Sequence, residues 1–366
     1  MFNKITKCWW SPVVITLIVC LGFVLFTFVT VDGDIWQFIL IGTRYSNGDP
    51  QGSEGYDGQF GYYIAADPDP QNVRRHLDVP AYRYQRILLP MLARIFSFGQ
   101  TQLIPWGLVF LPLFGQVLGV AFVAKILDEL ERNPLLALVY GLNAGSLLSI
   151  RVALPEPLAY ACVAAALYAY LKDRIWQGAF WLALAFFAKE VTLVYGIGIL
   201  LFLWIKRSWK ASTILLGIGF VPFLVWQVWL WQTFGEMGIG SGGAGATGFE
   251  WIPFMGLLRI VNYSRLYFIA MLIAFTPLII APSIWGLWAT LHKLFCGEVH
   301  LITLALLMHC LIMFYLPFST YRETGGVLRL SVGFVLAFLL YVAQEKQIRL
   351  MRYLPLWLVY NVFLFR

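Results

Sequence analysis

The chain has 366 residues, of which 60% are hydrophobic and only 12% charged, and its mean hydropathy is +0.75. This composition excludes a water-soluble globular fold and points to a polytopic, all-α membrane protein, a single transmembrane domain over residues 1–366. The net charge of +7 is scattered over helix ends rather than gathered into a patch, which argues against a nucleic-acid partner and for membrane topology.

The first apolar run, from about Ser11 to Val31, is long enough to cross a bilayer. No small-residue cleavage site follows it, so it reads as a retained helix rather than a removed signal. Further apolar runs near 102–124, 134–150, 155–171, 175–188, 190–205, 212–231, 266–290, 299–318, 327–343 and 350–365 bring the expectation to about eleven transmembrane helices. With the N-terminus inside, Lys4, Lys7, Lys125, Lys172, Lys206, Lys210, Lys293 and Lys346 fall at cytoplasmic ends and only Lys189 outside, as the positive-inside rule requires.

Arginine distributes the other way. Under the same topology Arg44, Arg74, Arg75, Arg83, Arg86, Arg94, Arg151, Arg259, Arg265, Arg322, Arg329 and Arg366 lie outside. A long first loop crosses whatever its charge, but Arg151, Arg322 and Arg329 flank short loops. The planar fork of guanidinium donors suits phosphate better than an ammonium does, so the outer face is expected to hold an anion.

Two outer loops are large. The first, residues 32–101, ends in Arg83-Tyr84-Gln85-Arg86-Ile87-Leu88-Leu89-Pro90-Met91-Leu92-Ala93-Arg94, with the spacing of an interfacial helix. The second, residues 232–264, carries a glycine-rich run over 238–246 that reads either as a flap over a site or as a slack connector. The five cysteines, Cys8, Cys20, Cys162, Cys296 and Cys310, sit in spans or on the inner side, and neither CxxC nor Cys/His metal spacing occurs. No metal site and no cofactor is read, and a divalent-metal requirement is left open.

Several outward helix ends pair opposite charges: Arg151 with Glu156, Lys189 with Glu190, and Arg322 with Glu323 near Arg329. Charges at a membrane boundary are costly unless paired, so their recurrence on one face suggests a shared polar cavity, although for each glutamate a structural ion pair is the simpler role. Arg83 and Arg86 share a helix face and suit either a phosphate clamp or interfacial snorkelling. His309, a lone histidine at mid-span, reads as a packing residue.

The most informative tract is Tyr56-Asp57-Gly58-Gln59-Phe60-Gly61-Tyr62-Tyr63-Ile64-Ala65-Ala66-Asp67-Pro68. Asp57 is the candidate general base. Gly58 and Gly61 allow close backbone approach, and Tyr56 and Gln59 offer neutral hydrogen bonds of the kind sugar hydroxyls accept. Asp-Gly is equally a turn signal. Asp32 and Asp34 are second candidates, with capping of the first span as their alternative.

This tract resembles the Trp-Asp-Gly/Ser-x-x-Tyr-x-x-Ile-Ala pattern in the first outer loop of GT-C membrane glycosyltransferases, of the GPI mannosyltransferase type and the bacterial cell-surface glycopolymer type. Arg83-Tyr84-Gln85-Arg86-Ile87-Leu88-Leu89-Pro90 is similar to their approach to the second span, so the likeness covers about residues 55–90. It implies a GT-C-like fold, a polyprenyl-phosphate-linked sugar donor, a glycan or lipid-linked acceptor, and Asp57 as base on the exoplasmic face. Tyr56 replaces the family's Trp, and the acidic pair of other branches is only the spaced Asp32 and Asp34, so the sugar is left open.

A single base with direct displacement predicts inversion at the sugar. The rival readings are a glycan polymerase or ligase and a lipid-linked sugar transporter or flippase; the last calls for charges or broken helices deep in the bilayer and often an internal repeat, and the sequence shows none of these. A bacterial inner membrane with the site facing outside is the expected location. The sequon Asn262-Tyr263-Ser264 keeps the endoplasmic reticulum as the second choice.

Overall fold

The computed structural model describes residues 8–365; Lys4, Lys7 and Arg366 lie outside the described residues. Among those described, the chain is helical throughout and has no strand. The first helix, α1 (Trp10–Thr30), has 21 residues, about 30 Å at 1.5 Å per residue, which matches a bilayer core. Most of its side chains face outward rather than into the protein. Residues 32–101 then form short helices instead of a span, among them α2 (Gly58–Ala66) and α3 (Leu88–Phe96).

The long α4 (Ile104–Glu129) carries the chain back across. A helical turn over Pro134–Gly141 and α5 (Ala144–Arg151) follow, meeting at 50°. Asn143 makes that break, because its side chain accepts from the Gly145 N–H at 2.9 Å and so starts α5 afresh. Next come α6 (Glu156–Leu171), α7 (Ile175–Ala188) and α8 (Leu193–Ile205). Then come α9 (Trp209–Phe234), α10 (Arg265–Phe295), α11 (Leu301–Phe314) and α12 (Thr324–Gln344).

Among the described residues five helices, α1, α4, α9, α10 and α12, are long and apolar enough to cross a membrane, giving up to six spans if the bent pair counts as one more. The sequence-based expectation of about eleven exceeds this for a physical reason. The runs at 155–171, 175–188, 190–205 and 299–318 are apolar, but their α-helices have only 16, 14, 13 and 14 residues. Each therefore reaches only about 20–24 Å, short of a roughly 30 Å hydrocarbon core.

The run at 350–365 is no α-helical span either. It becomes a 3-10 stretch, Leu354–Phe365, laid against α10 where that helix widens into a π-helical turn over Thr276–Ile280. Trp357 Nε1 donates to the Leu278 carbonyl at 2.6 Å and the Tyr360 hydroxyl to the Ala274 carbonyl at 3.0 Å. A π-turn disturbs the regular backbone bonding, and these side chains satisfy the carbonyls it leaves available.

α12 is the most enclosed of the long helices and carries the core from Val327 to Ala343. The two ends of the bundle differ in charge. At one end Lys172 pairs with Glu129, and Lys293 with Glu298 and Glu345. At the other, the first loop meets the starts of α6, α8 and α12.

Candidate active site

Asp57 occupies the position before α2 but does not cap it, so its carboxylate is free to turn toward other elements. The loop leading to it is fixed by Gln59, buried, whose Oε1 accepts from Gly42 N at 3.0 Å and whose Nε2 donates to the Glu54 carbonyl at 2.7 Å. Gly58 lets the start of α2 press on the turn after α5, since a methyl there would fall 2.6 Å from the Val152 carbonyl oxygen.

Two guanidiniums meet Asp57. Arg83 Nη2 stands 3.0 Å from Oδ1 and Arg329 Nη1 3.3 Å from Oδ2. Arg83 comes from the short helix Pro80–Tyr84 and lies 4.2 Å over the Phe60 ring. Asp78 holds it from behind, Nε to Oδ1 at 2.7 Å and Nη2 to Oδ2 at 2.8 Å.

From the start of α12, Arg329 also faces Glu156 Oε1 at 3.8 Å, and Lys189 Nζ meets that same oxygen at 2.5 Å. Glu156 Oε2 is buried without a partner. Arg86 forms a two-pronged pair with Glu190 at 2.6 and 2.7 Å and touches the Tyr82 hydroxyl at 2.5 Å. Six charges thus form one chain, Asp78, Arg83, Asp57, Arg329, Glu156 and Lys189, and Arg86 with Glu190 makes a separate pair, four cations and four carboxylates in all.

Seven of these eight line a cavity of about 570 Å³, with Arg322 and Glu323 also on its wall; Asp78 stands behind it. Arg322 has no ion-pair partner among the described residues, so its donors are uncommitted. Over the cavity lies the glycine-rich segment Gly238–Phe249, fastened at three points. Ile239 N donates to Gln227 Oε1 at 3.0 Å, and Ala244 N to Asp78 Oδ2 at 2.8 Å. Thr247 and Ser319 exchange backbone-to-hydroxyl bonds at 3.0 and 3.1 Å. Of the two readings of this loop, a lid over a cavity is the one its position matches.

Electrostatics follow from this geometry. Burial works to raise the Asp57 carboxyl, but Arg83, Arg329 and Arg86 outweigh it and hold the group well below the usual carboxylate range. Asp78 is likewise lowered: burial pushes up, while Arg83 and the backbone N–H groups of Ala244 and Val79 pull down by more. Both are ionised at neutral pH.

Other residues of the sequence-based set stand outside the cavity lining. Asp34 accepts from Trp36 N at 3.0 Å and Gln37 Nε2 at 3.3 Å, fastening the turn after α1. Arg151 donates to the Gln37 carbonyl at 2.8 Å and lies 5.1 Å over the Phe38 ring. Gln59 serves the loop, and Tyr56 places its ring 5.3 Å under the Arg329 guanidinium. The sequence reading missed Asp78, Tyr82 and the Thr247–Ser319 latch. Only the five-residue spacing of Asp78 and Arg83 across Pro80 hinted at the first of these.

Among the described residues no three His, Cys, Asp or Glu side chains gather as a ligand set for a metal. Comparison with known protein families, curated proteins and solved structures finds no match for this chain. The fold and site therefore define a helical membrane protein with a lidded, ion-lined cavity at one end of its bundle.

Proposed function

We propose that the protein is a membrane glycosyltransferase that moves a sugar from a polyprenyl-phosphate donor to a hydroxyl of a glycan or lipid-linked acceptor. The carrying observation is that Asp57, an ionised carboxylate on the cavity wall, is flanked by guanidiniums within a few ångströms. A base and an anion-binding group stand side by side, as displacement of a phosphate by a hydroxyl requires.

In the reaction the acceptor oxygen attacks the anomeric carbon and the bond from that carbon to the phosphate oxygen breaks. The electron pair leaves with the phosphate, and the acceptor proton passes to Asp57. Such a direct displacement inverts the sugar.

A carboxylate held by two arginines is a poor proton acceptor, so the resting site is restrained. Arg329 is its loosest contact, at 3.3 Å from Asp57 and 3.8 Å from Glu156. A donor phosphate entering beside Arg322 competes for that guanidinium. As Arg329 turns to the phosphate, Asp57 loses a charge that kept it acidic, and the base strengthens when the substrate arrives.

The test is transfer by the purified protein in vesicles containing polyprenyl-phosphate hexose and a lipid-linked acceptor. Product is expected with the wild-type chain and not with Asp57→Asn; full turnover by that variant removes Asp57 from the role of base. Product length separates a single transfer from a polymerase or ligase, and sugar crossing the vesicle membrane with no bond made favours a transporter.

A further inference from the structure

The lid and the ion network meet at one side chain. Asp78 Oδ2 accepts from Arg83 Nη2 and from Ala244 N, each at 2.8 Å, while Oδ1 accepts from Arg83 Nε and from Val79 N, each at 2.7 Å. The same Arg83 Nη2 reaches Asp57 at 3.0 Å. The Asp78 side chain is only 3% exposed and forms no part of the cavity wall, so it is not placed to touch a substrate. Gly243 rests directly on this pair. A methyl at Gly243 would fall 2.7 Å from Arg83 Nη2 and 3.2 Å from Asp78 Oδ2, so the lid closes this far only because that residue has no side chain.

We propose that Asp78 is a positioning residue that couples closure of the lid to the aim of Arg83 at Asp57. Four donors satisfy its two oxygens, and the side chain itself is nearly closed off from solvent while Ala244 above it is exposed. Lifting the lid removes one donor and admits water, which weakens the hold on Arg83. Swinging Arg83 away leaves a buried carboxylate short of its strongest donors, which draws water in under the lid. Each change must therefore favour the other, by the same factor in both directions. Given the reading of Asp57 as base, Arg83 is fixed beside it when the lid is shut and loosened when the lid opens for substrate exchange.

The reciprocity provides the test, and it needs no turnover. Backbone hydrogen exchange is followed at Ala244 in the full chain held in lipid nanodiscs. Asp78→Asn is expected to speed exchange there, but a carboxylate that merely ties down the loop would give the same result. Arg83→Gln leaves the bond from Ala244 to Asp78 in place but also takes away the guanidinium that Gly243 rests on, so the reverse direction is read beside it. Ser319→Ala loosens the lid at its far latch without touching Asp78 or Arg83, and coupling, unlike a direct contact, requires faster exchange of the Arg83 Nε–H. In Arg83→Gln coupling predicts roughly tenfold faster exchange at Ala244, whereas a simple tether predicts none.

Should Arg83→Gln fail to fold, Arg83→Lys keeps the charge but lacks the fork that spans both aspartates, and a rise of several-fold is expected. Exchange at the wild-type rate in the folded variant overturns the coupling. Because this readout is independent of sugar transfer, absence of activity in the vesicle assay leaves it standing as a separate result.

Discussion

At the end of the bundle away from Asp57, Lys172 stands 2.5 Å from Glu129, with 34% and 45% of the two side chains exposed. At the Asp57 end, Lys189 stands at the same 2.5 Å from Glu156, with 7% and 0% exposed. The pairs are alike in chemistry and separation and differ in their surroundings. In water the first is screened and replaceable by hydration. The second has lost its hydration and is worth its cost only because Arg329 and the rest of the network face it. Apolar packing would stabilise the bundle as well or better, so a chain of six linked charges with a further pair lining the same cavity is more economically explained by use than by stability. The contrast is between a hydrated pair at one end of the bundle and a desolvated pair on a cavity wall at the other.

The largest way to break this contrast is chemical. Asp57→Asn keeps the shape of the side chain but removes the proposed proton acceptor, and on that proposal transfer is expected to fall by about 10²–10⁴-fold, the usual contribution of a positioned base. Binding of the donor should change little, so the loss is read in kcat rather than KM. The next effect is on stability. Lys189→Met strips Glu156 of its nearest cation and leaves Arg329 at 3.8 Å, which puts the expected destabilisation near the lower end of the roughly 3–5 kcal/mol for opening a buried pair. Thermal unfolding in one detergent measures it. A variant as stable as wild type means that water already fills the cavity around Glu156.

How much of this was legible in the sequence depended on the range of the interaction. The charged groups Asp57, Arg83, Arg86, Glu156, Lys189, Glu190, Arg322, Glu323 and Arg329 were readable as one set because membrane topology sends alternate helix ends to one face, and all of them line the cavity. Topology cannot say which way a side chain turns once there. Asp34, Gln59 and Arg151 lie in the outer segments too, yet each is taken up by backbone groups nearby. Asp78 escaped notice because, apart from the N–H of its neighbour Val79, its partners are an arginine five residues on and a backbone N–H 166 residues away. The number of spans was less legible, because a hydropathy run does not fix the length of the helix inside it, and α6, α7, α8 and α11 are apolar but short.

A smaller effect comes from loosening one guanidinium. In the wild type, burial works to raise the Asp57 carboxyl, and Arg83, Arg329 and Arg86 more than offset it. A carboxyl held low in the folded state contributes stability in full above its unfolded value, and that contribution drains away as pH falls from the unfolded value to the folded one. Transfer should therefore hold into acid below the usual carboxylate range, because Asp57 stays ionised there, while stability already declines across the same window. Arg329→Gln removes one of the lowering charges and its hydrogen bond, so the acid limb of kcat/KM, which reports the free protein, is expected to move to higher pH. The limb of kcat should move less, because with donor bound Arg329 faces the phosphate. Equal movement of both limbs would mean that Arg329 stays on Asp57 throughout and that the donor finds its cation elsewhere.

The smallest expected effect is at the opposite end, and it completes the contrast. Lys172→Met removes the cation from a pair as short as that of Lys189 and Glu156, so distance alone predicts an equal loss. Exposure predicts otherwise, because water re-solvates Glu129 once the lysine is gone and holding two long side chains in register already cost entropy. The change in unfolding temperature should correspond to no more than about 1 kcal/mol and shrink further in high salt. Measured beside Lys189→Met in the same detergent, the ratio of the two losses reports the desolvation of the cavity end directly. Two equal losses would mean that the cavity is as wet as the open face, and the argument that its charges are gathered for chemistry would lose its physical basis.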